Sequence, residues 1–65
     1  MNNRALSFDI VKKRRDDGLS LRVASRESYI NWRTLSKLEH GRTPTVMILE
    51  RVCKWLGTKP GDYFP

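Results

Sequence analysis

The sequence predicts a compact all-α domain of five short helices, and three observations carry this prediction. Apolar residues recur at steps of three and four, most clearly at Val46, Leu49 and Val52, which is the spacing of one helical face. Residues that cap helices stand before these segments, and glycines follow several of them. No stretch shows the alternation of apolar and polar residues that marks a half-buried strand.

The first helix is expected to follow a loose start of the chain. Residues 1–6 are expected to form a flexible N-terminal arm. Ser7 can cap a helix that runs to about Asp17, with Asp9 favourably placed in its first turn. Gly18 then ends this helix. The folded domain is therefore expected to span residues 7–65.

The next two helices are short and are separated by a tight turn. Ser20 can cap the second helix, which reaches about Ser28. Residues 29–30 form the turn. Asn31 can cap the third helix, which stops at Gly41.

Two further segments complete the chain. Thr45 can cap a fourth helix, and Gly57 ends it. Residues 59–60 (Lys-Pro) open a fifth, short helical turn, because proline is tolerated in the first turn of a helix. Tyr63 and Phe64 are expected to fold back on the domain as a hydrophobic clasp.

The third helix divides into an apolar face and a polar face. At about 100° per residue with Trp32 at zero, the polar residues fall at roughly 40–140°, whereas Leu38 and Leu35 fall at roughly 240–300°. The leucines can anchor the helix to a core, and the other side presents groups that can read base edges or bind phosphate. These groups are Trp32, Arg33, Ser36, Lys37 and His40.

Size and charge limit the classes of function. Sixty-five residues form one domain, and the net charge of +6 favours a polyanionic partner. Ribosomal, membrane-surface and DNA-binding proteins share such a charge, and simple solubility is a further explanation. No apolar stretch approaches the roughly 18 residues of a membrane span. The single cysteine, Cys53, is expected to fill the core, and one reduced cysteine suits the cytoplasm.

Catalysis is not expected. One histidine, one cysteine and scattered carboxylates give no paired acid and base, no nucleophilic triad and no set of metal ligands. We therefore expect no enzyme, no metal and no cofactor.

A series of short motifs carries a family resemblance. The motifs are Arg14, residues 18–20 (GLS), residues 24–25 (AS), residues 30–31 (IN), residues 34–35 (TL), residues 38–41 (LEHG), residues 44–45 (PT) and residues 56–57 (LG). With these motifs the chain resembles the Cro and phage-repressor (XRE-like) family of helix-turn-helix proteins over about residues 10–64. Two positions depart from that family. Tyr29 stands where it usually has glycine, and Val23 stands where it usually has a polar residue.

The resemblance implies a lambda-repressor-like helix-turn-helix domain that binds DNA. It also implies a location in the cytoplasm of a bacterium or of a phage-infected host. In such a domain the second helix straddles the DNA backbone and the third enters the major groove. The resemblance also implies a partly buried ion pair between Arg14 and Glu39, which ties the first helix to the third. Glu39 projects to the edge of the buried face, so the geometry permits this pair. Two separately solvated charges are the alternative.

The polar face supplies candidate DNA contacts. Arg33 is the best candidate base reader, because its planar fork can pair with guanine O6 and N7 together. Trp32 can pack on a thymine methyl or lie along the sugar-phosphate wall, and a packing role within the protein is its alternative. Ser36 and Lys37 can reach bases or phosphates one turn further on. For Arg42 a solvated charge is the alternative to a phosphate contact. Backbone contacts are expected from Ser20, Leu21, Arg22, Asn31, His40, Arg42 and Thr43.

These features favour a sequence-specific regulator of transcription that binds double-stranded DNA, similar to a phage Cro or a minimal repressor. One small domain reads a half-site, so we expect a homodimer on a pseudo-palindromic operator, formed in solution or only on DNA. An antitoxin or accessory protein whose C-terminal face binds another protein is the first alternative. A protein-binding module that has lost DNA recognition is the second. The expected dimer face is Trp55, Tyr63 and Phe64, with Met47 and Ile48 beside them, unless these residues close the monomer core.

Overall fold

The computed structural model describes residues 1–65, which form four α-helices and one 3₁₀ turn. The helices are α1 (Asn3–Asp16), α2 (Leu21–Ser28), α3 (Trp32–Glu39) and α4 (Val46–Leu56), and the turn is Pro60–Tyr63. The all-α class is therefore confirmed, but the fifth predicted helix is only a 3₁₀ turn. Proline and glycine at its first two positions are poor helix formers, and bonds between residues three apart close it.

α1 begins before the predicted start. Its N-cap is Asn2, whose Oδ1 accepts the Ala5 N–H at 3.0 Å. Leu6 is 1% exposed, so the first turn is packed against the core. The prediction of a flexible arm at residues 1–6 is thus wrong for residues 3–6. Ser7 lies inside the helix, where its hydroxyl is shared between the carbonyls of Asn3 (2.8 Å) and Leu38 (2.6 Å).

Local capping chemistry sets the other helix starts. The three remaining N-caps that the sequence predicts are confirmed, because each side-chain oxygen accepts a backbone N–H from the first turn. They are Ser20 for α2, Asn31 for α3 and Thr45 for α4. Gly57 ends α4 in the left-handed conformation with φ of 77°, as predicted.

The turn between α2 and α3 contains a tyrosine in a conformation that favours glycine. Tyr29 has φ of 59° and ψ of 33°, the left-handed helical region. A residue with a Cβ atom pays about 1–2 kcal/mol there. Its side chain is 81% exposed, and its carbonyl accepts a hydrogen bond from Arg51 Nη1 at 3.1 Å. The family-like turn is therefore retained at the expense of backbone strain.

The core lies where the four helices meet. α3 packs against α1 and α2, and α4 packs against the same two helices. Burial raises the pKa of the Cys53 thiol, and this side chain fills the core as predicted. None of the helices combines the length and apolar composition that crossing a bilayer requires. The core residues are Leu6, Ile10, Ala24, Ile30, Leu35, Leu38, Leu49, Val52, Cys53 and Tyr63.

Candidate nucleic-acid interface

α3 presents one buried face and one face open to solvent. Leu35 and Leu38 are 0% and 2% exposed and anchor the helix to the core. Arg33 and Lys37 are exposed, and Ser36 is half-buried. The predicted division of this helix into two faces is therefore confirmed, and its cationic side chains are free to meet a ligand.

Both ends of α3 are held by polar side chains. At the start, Asn31 Oδ1 accepts the Arg33 N–H at 2.8 Å. At the end, the Ser7 hydroxyl donates to the Leu38 carbonyl at 2.6 Å, and this carbonyl also accepts the Gly41 N–H at 3.1 Å. Asn3 Nδ2 donates to the Gly41 carbonyl at 3.1 Å. The first two turns of α1 thus brace the C-terminal end of α3.

An ion pair ties α1 to α3. Arg14 Nε donates to Glu39 Oε2 at 2.8 Å, and Arg14 Nη2 donates to Glu39 Oε1 at 3.1 Å. The two side chains are 25% and 10% exposed, which makes this bidentate pair stronger than a fully solvated one. The hydrogen bonds to Glu39 raise the pKa of Arg14. The ion pair that the family resemblance implies is therefore present, and it fixes the orientation of α3.

The indole ring of Trp32 lies between residues of both helices. The guanidinium carbons of Arg22 and Arg33 are each 5.3 Å from its ring centroid. A depression of about 340 Å³ beside the ring is lined by Arg22, Ser25 and Arg26 from α2. Trp32 therefore joins the start of α2 to the start of α3 and is half-buried in doing so.

Polar groups at the end of α3 keep hydrogen-bonding capacity. His40 Nδ1 is 2.7 Å from the Ser36 carbonyl. Because a carbonyl only accepts, Nδ1 carries the hydrogen, and Nε2 has no partner within the protein. Thr43 Oγ1 accepts from Asn3 Nδ2 at 2.6 Å, so the threonine hydroxyl hydrogen is left to donate. Arg42 is exposed between them. His40 stands alone, since no three His, Cys, Asp or Glu residues cluster as metal ligands would.

The start of α2 offers backbone donors. Ser20 Oγ accepts the Val23 N–H at 3.2 Å, so this side chain is occupied as a cap. The N–H groups of Leu21 and Arg22 are among those that an α-helix leaves without an intrahelical partner. The positive end of the helix dipole lies at the same place. This helix start can therefore bind an anion such as a phosphate.

The predicted dimer face is wrong for one of its residues. Tyr63 is 2% exposed, and its hydroxyl donates to Asp9 Oδ2 at 2.7 Å. The side chain thus closes the monomer core against α1. Trp55 is half-buried, and its Nε1 donates to Glu27 Oε1 at 3.1 Å. Phe64 is 51% exposed and is the residue of this set most available to a partner.

Three residues outside the predicted set shape the interface. Asn3 and Ser7 brace the end of α3, and no sequence signal reveals contacts between residues 31 to 40 positions apart. Arg26 has a signal, because it lies one helical turn after Arg22 and shares its face. The structure thus brings the predicted residues into two groups, one at the seam of α2 and α3 and one at the end of α3.

Comparison with known families agrees with this geometry. A family model for the Cro/C1-type helix-turn-helix DNA-binding domain matches residues 10–64. The matched residues include all of α2, α3 and α4 and part of α1. Comparisons with curated proteins and with solved structures give no match. The chain therefore belongs to the Cro/C1-type helix-turn-helix family of DNA-binding domains.

Proposed function

We propose that this chain is a sequence-specific transcriptional regulator that places α3 in the major groove of an operator. The observation that carries the proposal is the exposure of Arg33 and Lys37 on the side of α3 opposite the buried Leu35 and Leu38. An α-helix fits the major groove, where each base pair presents a distinct set of donors and acceptors. Bracing at both ends gives this short helix a fixed orientation.

Each group of residues has its own role in this proposal. Arg33 reads guanine with its planar fork, and Ser36 and Lys37 contact bases or phosphates one turn further on. Trp32 lies on the same helix, but its ring is already in contact with two guanidiniums. Contacts to the DNA backbone come from both ends of the motif, through Ser20, Leu21, Arg22, Asn31, His40, Arg42 and Thr43.

A symmetric pair of domains fits a pseudo-palindromic operator. The longest dimension of the domain is 30 Å, whereas half-sites one helical turn apart are separated by about 34 Å. One domain therefore reads one half-site, and a homodimer, formed in solution or on DNA, reads two. Exposed Phe64 and half-buried Trp55 are the proposed dimer contacts now that Tyr63 is assigned to the core. Occupying such an operator blocks polymerase, as a Cro-like or minimal phage repressor does.

A second function is favoured by the apolar side chains that the fold leaves exposed. Met47 and Phe64 are 62% and 51% exposed, and they would mark a contact with another protein if they belonged to one contiguous apolar patch. An antitoxin or accessory protein would use this surface to bind a different chain while α3 still binds DNA. Co-purification of a second protein from the native cell, lost in a Phe64→Ser variant, would support this function over a stand-alone regulator.

Selection of duplexes from a random library tests the main proposal. The expected result is an enriched consensus with a dyad, whose binding weakens roughly 10³- to 10⁵-fold between 50 and 200 mM salt if the protein makes six to ten phosphate contacts. Failure to enrich any consensus would contradict sequence-specific binding. Enrichment without a dyad would contradict the dimer alone.

A further inference from the structure

Trp32 is the one aromatic residue of the interface, and its surroundings define its role. A guanidinium from α2 and a guanidinium from α3 each lie 5.3 Å from its ring centroid. We propose that Trp32 is a positioning residue that holds Arg22 and Arg33 ready for DNA and does not itself read a base. This inference rests on the proposed function and deepens it, because it names what sets the orientation of the base-reading arginine.

The contact with Arg33 is not an accident of sequence adjacency. Consecutive residues on a helix point about 100° apart and do not face each other. Arg33 nevertheless has its guanidinium carbon 5.3 Å from the ring centroid of Trp32, so its side chain turns towards the ring. The ring therefore selects one side-chain conformation of Arg33 from the many that an exposed arginine samples.

The contact with Arg22 links the two helices of the motif. Arg22 lies in the first turn of α2, where the helix start favours a phosphate. The depression beside the ring is lined by further α2 residues, so this side of the indole faces α2. A base edge has no access to the part of the ring that these residues cover.

The two cation–π contacts of Trp32, called the stack below, leave both arginines able to bind DNA. Attraction between a guanidinium and an aromatic ring is electrostatic, so the five N–H donors of each guanidinium remain available for hydrogen bonds. Arg33 can therefore pair with guanine, and Arg22 with a phosphate, while the stack persists. Holding the two side chains before DNA arrives removes part of the rotamer entropy that binding would otherwise cost.

The stack is tested first without DNA. NMR spectra of the free protein report ring-current shifts on the δ and ε protons of Arg22 and Arg33. We expect upfield shifts in the wild-type protein, reduced shifts in Trp32→Phe and none in Trp32→Leu. Phe8→Leu makes the same exchange of ring for leucine at an exposed position outside the interface and should change neither arginine. Ordinary arginine shifts in the wild-type protein would overturn the proposal.

The positioning role is tested with the duplex that the wild-type protein selects. We expect Trp32→Leu to weaken binding about tenfold, Trp32→Phe to restore most of the loss, and Phe8→Leu to have no effect. In a double-mutant cycle, the loss of affinity in Trp32→Leu with Arg33→Ala should be smaller than the product of the two single losses. Each single change already removes the contribution of the oriented Arg33 guanidinium.

The outcomes separate the two roles of Trp32. The proposal is overturned if the two single losses of affinity multiply in the double variant while Trp32→Leu keeps the base preference assigned to Arg33. That result would show that Trp32 contacts DNA directly. If Trp32→Leu does not fold, Trp32→Phe carries the same comparison through its smaller ring-current and affinity changes. If no duplex is selected, the proposed function fails, whereas the ring-current shifts still decide whether the stack exists.

Discussion

At the scale of single residues, Arg33 and Arg42 have the same charge but different expected roles. Arg33 lies on the open face of α3, and Arg42 lies in the connection after it. We expect Arg33→Ala to cost about 1–3 kcal/mol of binding free energy on the selected duplex and to relax the preference at one base pair. Arg42→Ala should weaken binding to all duplexes alike and lower the salt slope by about one.

The measurement compares the selected duplex with a scrambled one over a range of salt concentrations. Equal loss on both duplexes for Arg33→Ala would contradict its role as a base reader. A loss confined to the selected duplex for Arg42→Ala would contradict a phosphate contact.

The buried hydroxyl of Tyr63 makes the free energy of unfolding fall at alkaline pH. Burial, with the hydrogen bond to Asp9, raises the pKa of Tyr63 to about 12, whereas an unfolded tyrosine ionises near pH 10. The folded state thus favours the protonated phenol. This contribution is fully present below about pH 10 and is lost as the pH rises from about 10 to about 12, with a total of about 2–3 kcal/mol.

Urea denaturation between pH 9 and pH 11.5 checks this prediction. The free energy of unfolding should fall more steeply with pH for the wild-type protein than for Tyr63→Phe, which has no phenol to ionise. Tyr29→Phe removes an exposed phenol and is the matched control, expected to follow the wild-type curve. Parallel curves for the wild-type protein and Tyr63→Phe would contradict the buried state of this hydroxyl.

At the scale of the elements, the first turn of α1 is a structural part of the candidate DNA interface. Asn3 Nδ2 donates to Gly41 and Thr43 in the connection after α3, while Asn3 Oδ1 is buried without a partner. We expect Asn3→Ala to lower the free energy of unfolding by about 1 kcal/mol and to weaken DNA binding. Arg4→Ala is the control, because Arg4 lies in the same turn and its exposed side chain makes no hydrogen bond.

Thermal unfolding measures this effect, since about 1 kcal/mol corresponds to a Tm change of about 4–8 °C in a domain of this size. An unchanged Tm in Asn3→Ala would contradict a stabilising role for the Asn3 hydrogen bonds and would favour the flexible arm that the sequence predicts.

Two helix ends with left-handed backbone provide opposite tests of strain. Tyr29 and Gly57 share this conformation, with φ of 59° and 77°. Tyr29→Gly should raise the free energy of unfolding by about 1 kcal/mol, because glycine adopts this region without a steric penalty. Gly57→Ala should lower it by a similar amount, although an added Cβ meets no atom within 4 Å, since the cost is in the backbone alone.

Calorimetry measures the Tm of both variants and so checks the two predictions. A Tm for Tyr29→Gly below that of the wild-type protein would show that the exposed tyrosine makes a stabilising contact that outweighs the strain.

The elements also show what the sequence can and cannot predict. The caps of α2, α3 and α4 depend on hydrogen bonds to residues only two or three positions away, so the sequence alone predicts them. The capping residues are Ser20, Asn31 and Thr45. The predicted start of α1 is wrong, because Asn2 caps the helix although Ser7 also has a side chain suited to a cap. Its hydroxyl instead reaches Leu38, and burial of Leu6 in the folded core extends the helix towards the N-terminus.

For the whole molecule, the same limit applies to the candidate site. The split of α3 into two faces follows from helical geometry and is predictable. The stack of Trp32 on Arg22 and the bond from Tyr63 to Asp9 join positions 10 and 54 residues apart, so only the assembled fold reveals them. The sequence therefore predicts which helix faces DNA, but not which side chains hold its arginines in place.

NMR titration of the protein with its selected duplex tests this central claim most directly. The account predicts the largest amide shift changes at Arg33, Ser36 and Lys37 on α3, with a second set at residues 20–22, and small changes along the C-terminal half of α4. Changes confined to α4 and the 3₁₀ turn, with the amides of α3 unmoved, would contradict the placement of α3 in the major groove.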